Sequence, residues 1–439
     1  MEEGGPRGFS GHWGGPPRNR LGAGLIRRTG CRGRRSPQTA NTFKRGFRMP
    51  QMRWKFAALS VLALGISAAT ISMEAAPAQA QEFPTLKKLQ AERVALARKL
   101  TPSVVAIADS RPDLSNPQAT GLAQGAALAA SGFVVDEEYV VTNFESAATN
   151  NLEPGSSCWL MAHDGKEFTG KVVGKDKRNL MLLVKMDEGH PKLPSLKLAN
   201  SDKVEVGSTA LALGNTLDSL LIDRQISFSF GTVSGFYRFE PIGVINPDEG
   251  GDPYRGNVFE VDTAIHAGDH GGPICNLDGE VIAMMCPHWM AGRHMGCAVP
   301  SNQIAAVLPQ LKKGVKEDDL AQASLGFKAK YSKEAGAIIV TDVTPGGPAD
   351  KAGLKNGMHL MRVDNYKIPS MPRLKEMLGI GFIEREVEME SGFGRKRKTK
   401  VAVSYGLPIG THIQLTVKDA ESGREKTVDL ITVQKEDDF

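Results

Sequence analysis

Short apolar runs, broken by glycine, asparagine, aspartate and proline, follow one another from residue 103 to residue 285. Many short runs at regular spacing predict β-strands arranged as a barrel or a sandwich. The clearest runs read GFVV, YVVTN, CWLMA, GKVVG, LMLLVKM, STALALG, ISFSFGTVSGF, NVFEVDTAI and GEVIAMM. Residues 85–100 instead carry apolar side chains at helical spacing and end just before Pro102, and residues 303–312 also show a helical pattern. We therefore expect a leading helix within residues 81–100, a β-rich domain, and a helix that closes it.

A second, smaller unit follows a polar linker at residues 314–323. Its runs SLGFKAKY, GAIIVTDV, GGPADKAGLKNGMHLMRVDNYKI, MPRLKEMLGI, THIQLTVKD and EKTVDLITV predict a compact α/β domain over residues 324–439. A charged insert near residues 381–408, which contains GRKRKTK, interrupts this unit. A basic run of this kind is usually a solvated loop, and we expect one here.

Basic residues are concentrated at the start of the chain. Residues 1–48 hold ten Arg, one Lys and two Glu without an apolar period, as in a disordered head or a mis-assigned start. The whole chain has a net charge of +5, but residues 81–439 taken alone sum to −5. The folded part is mildly acidic, so no nucleic-acid partner is expected.

Residues 49–80 have the pattern of a signal peptide. A short basic stretch precedes an apolar stretch, and Ala78 and Ala80 supply the A-x-A cleavage pattern. We expect cleavage before Gln81 and export of residues 81–439, which makes the protein periplasmic or secreted. The apolar stretch is short for a spanning helix, so no stable membrane span is expected after cleavage, with an uncleaved anchor as the alternative.

The order of several motifs resembles a known family. SGFVVDEEYVVTN, GKVVGKDKRNLMLLVKM, LANSDKVEVGSTALALGN, GTVSG, DTAIHAGDHGGPICNLDGEVIAMM and GCAVPSNQI occur in one order and at fitting distances. They are similar to the trypsin-like domain of the HtrA (Deg) envelope proteases over residues 101–313, and residues 324–439 resemble the PDZ domain that accompanies it. The resemblance implies a mainly β protein, with a trypsin-like double β-barrel followed by a small α/β PDZ domain.

The three positions at which this family carries its catalytic triad are all changed. Glu145 in VVTNFESA stands where the base histidine belongs, Asn179 in KRNLMLLV replaces the aspartate, and His270 in GDHGGP replaces the serine. A carboxylate is a weak base for a hydroxyl, an amide cannot stabilise a cation by charge, and position 270 offers no hydroxyl. The resemblance therefore predicts a pseudoprotease. Ser131 and Ser146 lie near the cleft elements in sequence, but we interpret them as ordinary strand-end and loop residues.

The glycines around the nucleophile position remain, which favours an intact turn. Gly268, Asp269 and His270 are expected to form the oxyanion-type turn, shaped by Gly268, Gly271 and Gly272. Backbone N–H groups in such a turn can hold a carbonyl oxygen without a nucleophile. It would then serve peptide binding.

Histidines and cysteines are concentrated between residues 266 and 297. His266, His270, His288 and His294 are weak candidates for metal ligands, since their spacing matches no standard ligand motif. No cofactor is expected. In an oxidising compartment Cys158, Cys275, Cys286 and Cys297 allow three pairings. Because Cys286 ends one predicted strand and Cys297 begins the next, a disulfide between them is the favoured interpretation, and Trp289 and Met290 between them are candidates for lining a peptide groove.

The PDZ resemblance implies a second peptide site. A PDZ domain binds a C-terminal carboxylate on backbone N–H groups while the ligand adds a strand to the sheet. The matching loop contains Leu325, Gly326 and Phe327, and the groove helix contains Leu374 and Met377. These residues could equally be core or strand positions.

Three functions remain open from the sequence. The first is an exported binding protein for unfolded or C-terminal peptide segments, acting as a chaperone-like holder, a regulator of an active homologue, or a scaffold. The second is a peptidase with an unusual site around Glu145 and His270, and the third is a metal-binding protein that uses the histidine and cysteine cluster at 266–297. Members of the family commonly trimerise through the segment before the first barrel, so a homo-oligomer is also expected.

Overall fold

The computed structural model describes residues 84–115, 127–238, 253–286, 295–391 and 395–435. The predicted head, the predicted signal peptide and the loop with His288, Trp289, Met290 and His294 lie outside the described residues. Helix α1 spans Pro84–Leu100, where the leading helix is predicted. Among the described residues no helix has the length and apolar character needed to cross a bilayer.

Six antiparallel strands form the first closed barrel, in the order β1-β2-β3-β6-β5-β4. They are β1 Val104–Ala108, β2 Ala130–Asp136, β3 Tyr139–Asn143, β4 Ser157–Ala162, β5 Glu167–Asp176 and β6 Met181–Met186. Every residue of β1 is buried, which explains why its sequence is a continuous apolar run rather than an alternating one.

The second barrel also has six antiparallel strands, in the order β10-β11-β12-β9-β8-β7. They are β7 Thr209–Gly214, β8 Ser227–Tyr237, β9 Val258–Val261, β10 Pro273–Cys275, β11 Val281–Cys286 and β12 Gly296–Pro300, with helix α2 Ser219–Asp223 between β7 and β8. Helix α3 Ser301–Lys312 follows and packs its buried face against both barrels. The predicted double barrel is confirmed.

The linker is attached to the first barrel. Its short 3₁₀ turn begins at Glu317, whose carboxylate accepts the Lys177 N–H (2.8 Å) and pairs with the Lys177 ammonium (3.2 Å). The Ala321 carbonyl accepts a hydrogen bond from Arg178 Nη1 (2.8 Å). Both contacts lie on the 3₁₀ turn between β5 and β6, so the linker runs beside the Asn179 position.

The C-terminal unit is a small α/β domain with a sheet ordered β14-β15-β16-β20-β21, to which β17 adds beside β16. Its elements are β13 Ala323–Ser324, β14 Lys328–Ser332, β15 Ala337–Thr341, α4 Pro348–Lys351, β16 His359–Val363, β17 Tyr366–Lys367, α5 Met371–Met377, β20 His412–Lys418, β21 Glu425–Ile431 and β22 Val433–Gln434. Strand β14 is an edge strand, since β15 is its one neighbour among the described strands.

The charged insert forms a hairpin, not the expected solvated loop. Strands β18 Ile383–Ser391 and β19 Arg395–Ser404 pair with each other as a two-stranded sheet of their own. The register sets Glu386 opposite Lys400 and Glu388 opposite Lys398. The acidic run before the basic run was the overlooked signal, because opposite charges across two strands favour pairing.

Buried charged groups hold the C-terminal domain against the second barrel. Arg238, at the end of β8, binds the Asp364 carboxylate through Nε (2.9 Å) and Nη2 (2.7 Å), and its Nη1 donates to the Met377 carbonyl (2.8 Å). Arg255 Nε donates to the Glu376 carbonyl (3.0 Å). Two arginines of the protease-like domain thus cap the last turn of α5, a contact that the sequence did not predict.

Candidate functional site

Two of the three positions expected to carry the triad, 145 and 179, lie on loops that are bound to each other. Asn143, at the end of β3, accepts the Glu145 N–H through Oδ1 (2.8 Å). The same side chain donates through Nδ2 to the Leu180 carbonyl (2.9 Å), and Leu180 directly follows Asn179. One buried asparagine therefore fixes the spacing between positions 145 and 179.

The turn that contains His270 belongs to the second barrel and is bonded to the first barrel. The Ser131 N–H, on β2, donates to the His270 carbonyl (3.0 Å). Ser131 Oγ donates to the Gly268 carbonyl (2.7 Å) and accepts the Asn215 N–H (2.8 Å). The Ser131 hydroxyl thus joins the two barrels, and Ser146 is buried as well. Both serines agree with the structural roles expected for them.

The glycines of the turn are required by its geometry. Gly268 and Gly271 have φ of +93° and +88°, in the left-handed region that favours glycine. A β-carbon on Gly271 would overlap the Ser131 carbonyl oxygen, and one on Gly272 would overlap the Leu213 carbonyl oxygen. Within the described chain the Gly268 N–H has no hydrogen-bond partner. The turn therefore presents an open backbone donor where the oxyanion site is expected.

Asn179 is buried with half of its amide unused. Its Nδ2 donates to Asp176 Oδ2 (2.6 Å), while its Oδ1 is buried and has no hydrogen-bond partner in the described part of the chain. Asp176 also accepts from the N–H (3.1 Å) and the Nε (3.2 Å) of Arg178. The Asn179 oxygen therefore lies at the orienting position of a triad and lacks the N–H donor that a base histidine would supply.

Asp269 gives the turn a property that the sequence did not predict. Its carboxylate accepts hydrogen bonds from Thr216 Oγ1 (2.7 Å) and from the His266 N–H (2.8 Å). Burial raises the pKa of Asp269 from 3.8 to about 6, against the lowering effect of these hydrogen bonds. The turn beside His270 therefore contains a carboxyl group that titrates near neutral pH.

The histidine and cysteine cluster is only partly described. His266 is exposed and His270 is half-buried on the turn, whereas His288 and His294 fall outside the described residues. Among the residues that the structure describes, no three His, Cys, Asp or Glu side chains are grouped so that they could hold a metal ion. The sequence hypothesis of a metal site stays a prediction.

The cysteines follow the predicted strand pairing. Cys286 and Cys297 lie directly opposite each other on β11 and β12 and are buried, and Cys158 and Cys275 are buried elsewhere. The structure has Cys158 and Cys275 as thiols. The adjacency of Cys286 and Cys297 is what a disulfide between them requires, and the bond itself stays a prediction.

The predicted PDZ site residues surround the core of the C-terminal domain. Leu374 and Met377 of α5 are buried in that core, and Leu325 and Phe327 pack against it. Gly326 has φ of +73°, and its N–H donates to the hydroxyl of Ser324 (3.2 Å). The loop has the sharp turn expected of a carboxylate-binding loop. The ligand assignment of these side chains stays a prediction.

Family comparisons agree with this two-part architecture. Residues 130–284 match the family described as the trypsin-like peptidase domain, and residues 315–390 match the PDZ domain family. The two matches follow one another along the chain as a trypsin-like domain and then a PDZ domain. The first match spans β2 to β11 and so covers all three substituted positions.

Two curated relatives are both named as probable periplasmic serine proteases. A Chlamydia trachomatis protein named "Probable periplasmic serine endoprotease DegP-like" is 28% identical over 269 residues, covering 58% of this chain and 49% of that protein. A Haemophilus influenzae protein named a periplasmic serine protease do/HhoA-like is 26% identical over 336 residues, covering 69% and 66%. The chain thus spans about half the length of the chlamydial relative that it matches. The names agree with the exported, periplasmic location predicted for it.

Two solved protease structures also match this chain. The HtrA-type protease AlgW with a decapeptide is 17% identical with a TM-score of 0.41, covering 78% of this chain and 99% of that one. The serine endoprotease from Yersinia pestis is 18% identical with a TM-score of 0.40, covering 78% and 98%.

Proposed function

We propose that this HtrA-type protein is a pseudoprotease that binds unfolded or exposed peptide segments in the periplasm without cleaving them. The proposal is supported by Asn143, which links the loops of Glu145 and Asn179, and by Ser131, which bonds the turn of His270. Acyl transfer by this fold needs a hydroxyl nucleophile, an imidazole base and a carboxylate that orients it. Each side chain here is of the wrong type for the role of its position.

The proposed binding role rests on what the site retains. The open Gly268 N–H supplies a donor for a peptide carbonyl, and the positive φ of Gly268 keeps that donor in place. The edge strand β14 offers a second place for an extended peptide, next to the Gly326 loop. We infer that both sites take peptide main chain, for which sequence selectivity is low and unfolded segments are the natural ligands.

The domain assignment that accompanies this function is also a proposal. The processed protein starts at Gln81, with the trypsin-like domain at 101–313 and the PDZ domain at 324–439. A homo-oligomer or an assembly with an active homologue is compatible with a holding or regulatory role. Exposed Leu86, Leu89 and Val94 on α1 are the apolar surface available to a partner near the first barrel.

Incubation with an unfolded substrate tests the absence of cleavage. Reduced casein is incubated for long times with the protein purified after export, and new peptide ends are identified by mass spectrometry. His270→Ala is the matched control. We expect the parent protein and the control to give the same set of peptide ends, with no end specific to the parent. Ends specific to the parent would establish chemistry at His270 and support the alternative peptidase function.

Restoring the triad tests whether the frame is intact. The variant Glu145→His, Asn179→Asp, His270→Ser should cleave casein at least about 1,000-fold faster than the parent, a modest share of what a triad contributes. The variant with His270→Ala in place of His270→Ser is the control and should stay inactive. An inactive but folded restored variant would show that the turn no longer presents a usable oxyanion site.

A further inference from the structure

The inserted hairpin has two outer edges of opposite charge. Strand β18 reads IEREVEMES and contains four Glu and one Arg, whereas β19 reads RKRKTKVAVS and contains three Lys and two Arg. The two strands form a separate sheet, and in the described part of the chain no third strand pairs with either outer edge. One unpaired edge therefore belongs to an acidic strand and the other to a basic strand.

The charges lie in register along the hairpin. Glu386 stands opposite Lys400, Glu388 opposite Lys398, and Glu390 opposite Lys396. Glu386 also lies 3.8 Å from the Lys398 ammonium, and both side chains are more than half exposed. The hairpin already uses cross-strand pairing of opposite charges, and the same chemistry is available at each outer edge.

The base of the hairpin is held against both barrels. Tyr405, directly after β19, packs edge-on against Phe144 of the first barrel (ring centroids 6.0 Å apart) and stacks on Phe382, which precedes β18 (6.5 Å). The Tyr405 N–H donates to the Pro253 carbonyl of the second barrel (2.9 Å). The hairpin is thus presented from a fixed base.

We propose that this hairpin joins copies of the chain head to tail, with the acidic edge of β18 in one copy beside the basic edge of β19 in the next. A second copy is the occupant that the charges favour, because each copy carries one edge of each sign. A two-fold contact would place β18 against β18, or β19 against β19, and so would align like charges. Head-to-tail contact extends the same alternation of acidic and basic strands.

Cross-linking between two cysteine variants tests the direction of the contact. One full-length exported variant carries Glu386→Cys on β18 and the other carries Lys398→Cys on β19, and both sites are exposed. The four described native cysteines are buried, and the parent protein serves as background. With a short bis-maleimide, the mixture should yield at least about fivefold more cross-linked dimer than either variant alone. The excess should disappear at about 1 M NaCl, since exposed charges are screened there.

Equal yields in the mixture and in the single samples would overturn the proposal, and so would an absence of dimer in the mixture. Charge reversal without the cysteine changes provides an independent control. Glu386→Lys, Glu388→Lys and Glu390→Lys together should abolish association in sedimentation, because both edges become basic. Adding Lys396→Glu, Lys398→Glu and Lys400→Glu restores opposite edges and should restore association in sedimentation. Failure of that full reversal to associate, with the parent associating, would also reject the proposal.

Discussion

The turn with His270 and the joint with the C-terminal domain both bring distant parts of the chain together, but they are held by different chemistry. At the turn the contacts are backbone bonds and close glycine packing, such as the Ser131 N–H with the His270 carbonyl. At the joint they are side-chain contacts of buried charge, led by Arg238 and Asp364. Position 270 can therefore change its side chain while the backbone of the turn keeps its shape, whereas the joint depends on particular side chains.

This difference predicts that side-chain changes at the turn and at the joint have unequal effects on the fold. Replacing the residue at position 270 leaves the glycines, the hydrogen bonds of Ser131 and the open Gly268 donor untouched. Replacing Arg238 removes the partner of Asp364 and the cap of α5 at once. A change at position 270 is thus expected to disturb the structure less than a change at Arg238.

The largest effect is expected from the turn glycine. Gly271→Ala should lower the free energy of unfolding by about 4 kcal/mol, because the backbone is left-handed and the β-carbon overlaps Ser131. His270→Ala next to it should cost less than about 1 kcal/mol. Urea unfolding of both variants measures the contrast. Similar costs would mean that the imidazole, and not the backbone, supports the turn.

The second-largest effect is expected at the joint between the second barrel and the C-terminal domain. Arg238→Met should lower the free energy of unfolding by about 3 kcal/mol, since it leaves Asp364 half-buried without its charge partner. Hydrogen exchange should rise in α5. Lys185→Met, which removes an exposed ion pair with Glu138, is the control and should cost less than about 1 kcal/mol. Equal costs in the two variants would contradict the distinction between the joint and a surface pair.

Asp269 should make the turn sensitive to pH. Its pKa rises from 3.8 in the unfolded chain to about 6 in the folded one, so folding favours the protonated carboxyl. The contribution of Asp269 to the free energy of unfolding is therefore complete below pH 3.8 and is lost as pH rises through about 6. Stability should therefore fall by about 2 kcal/mol between about pH 4 and pH 7. Asp269→Asn should remove most of this pH dependence. Asp218 should account for a small remaining part, because burial raises its pKa as well. An unchanged slope would place the titrating group elsewhere.

The smallest expected effect is an increase in the free energy of unfolding. Glu145→His should stabilise the fold by about 1 kcal/mol, because an imidazole N–H can reach the unpaired Oδ1 of Asn179. The gain should vanish in an Asn179→Leu background, which removes the acceptor. A double-mutant cycle by urea unfolding isolates the coupling. Gains of equal size in both backgrounds would assign the effect to loss of the Glu145 charge.

The sequence predicted what depends on local patterns and on ordered motifs. Apolar runs located the barrel strands, and the motifs around Glu145, Asn179 and His270 assigned these residues to the cleft, which stays a prediction. The joint could not be found in this way, since Arg238 and Asp364 are separated by 126 positions and neither lies in a recognisable motif. The raised pKa of Asp269 was equally hidden, because it arises from burial that only the packed barrels create.

The hydrogen bonds of Ser131 also have a consequence for how the chain folds. Its hydroxyl bonds Gly268 and Asn215, which follow it by 137 and 84 positions. Contacts of such long range form late, because most of the loop-closure entropy is lost before they are made. A chain that emerges N-terminus first can therefore close the first barrel, but it cannot bond that barrel to the second until residue 270 has followed. During export the protein is itself an unfolded client, of the same kind as the segments it is proposed to hold.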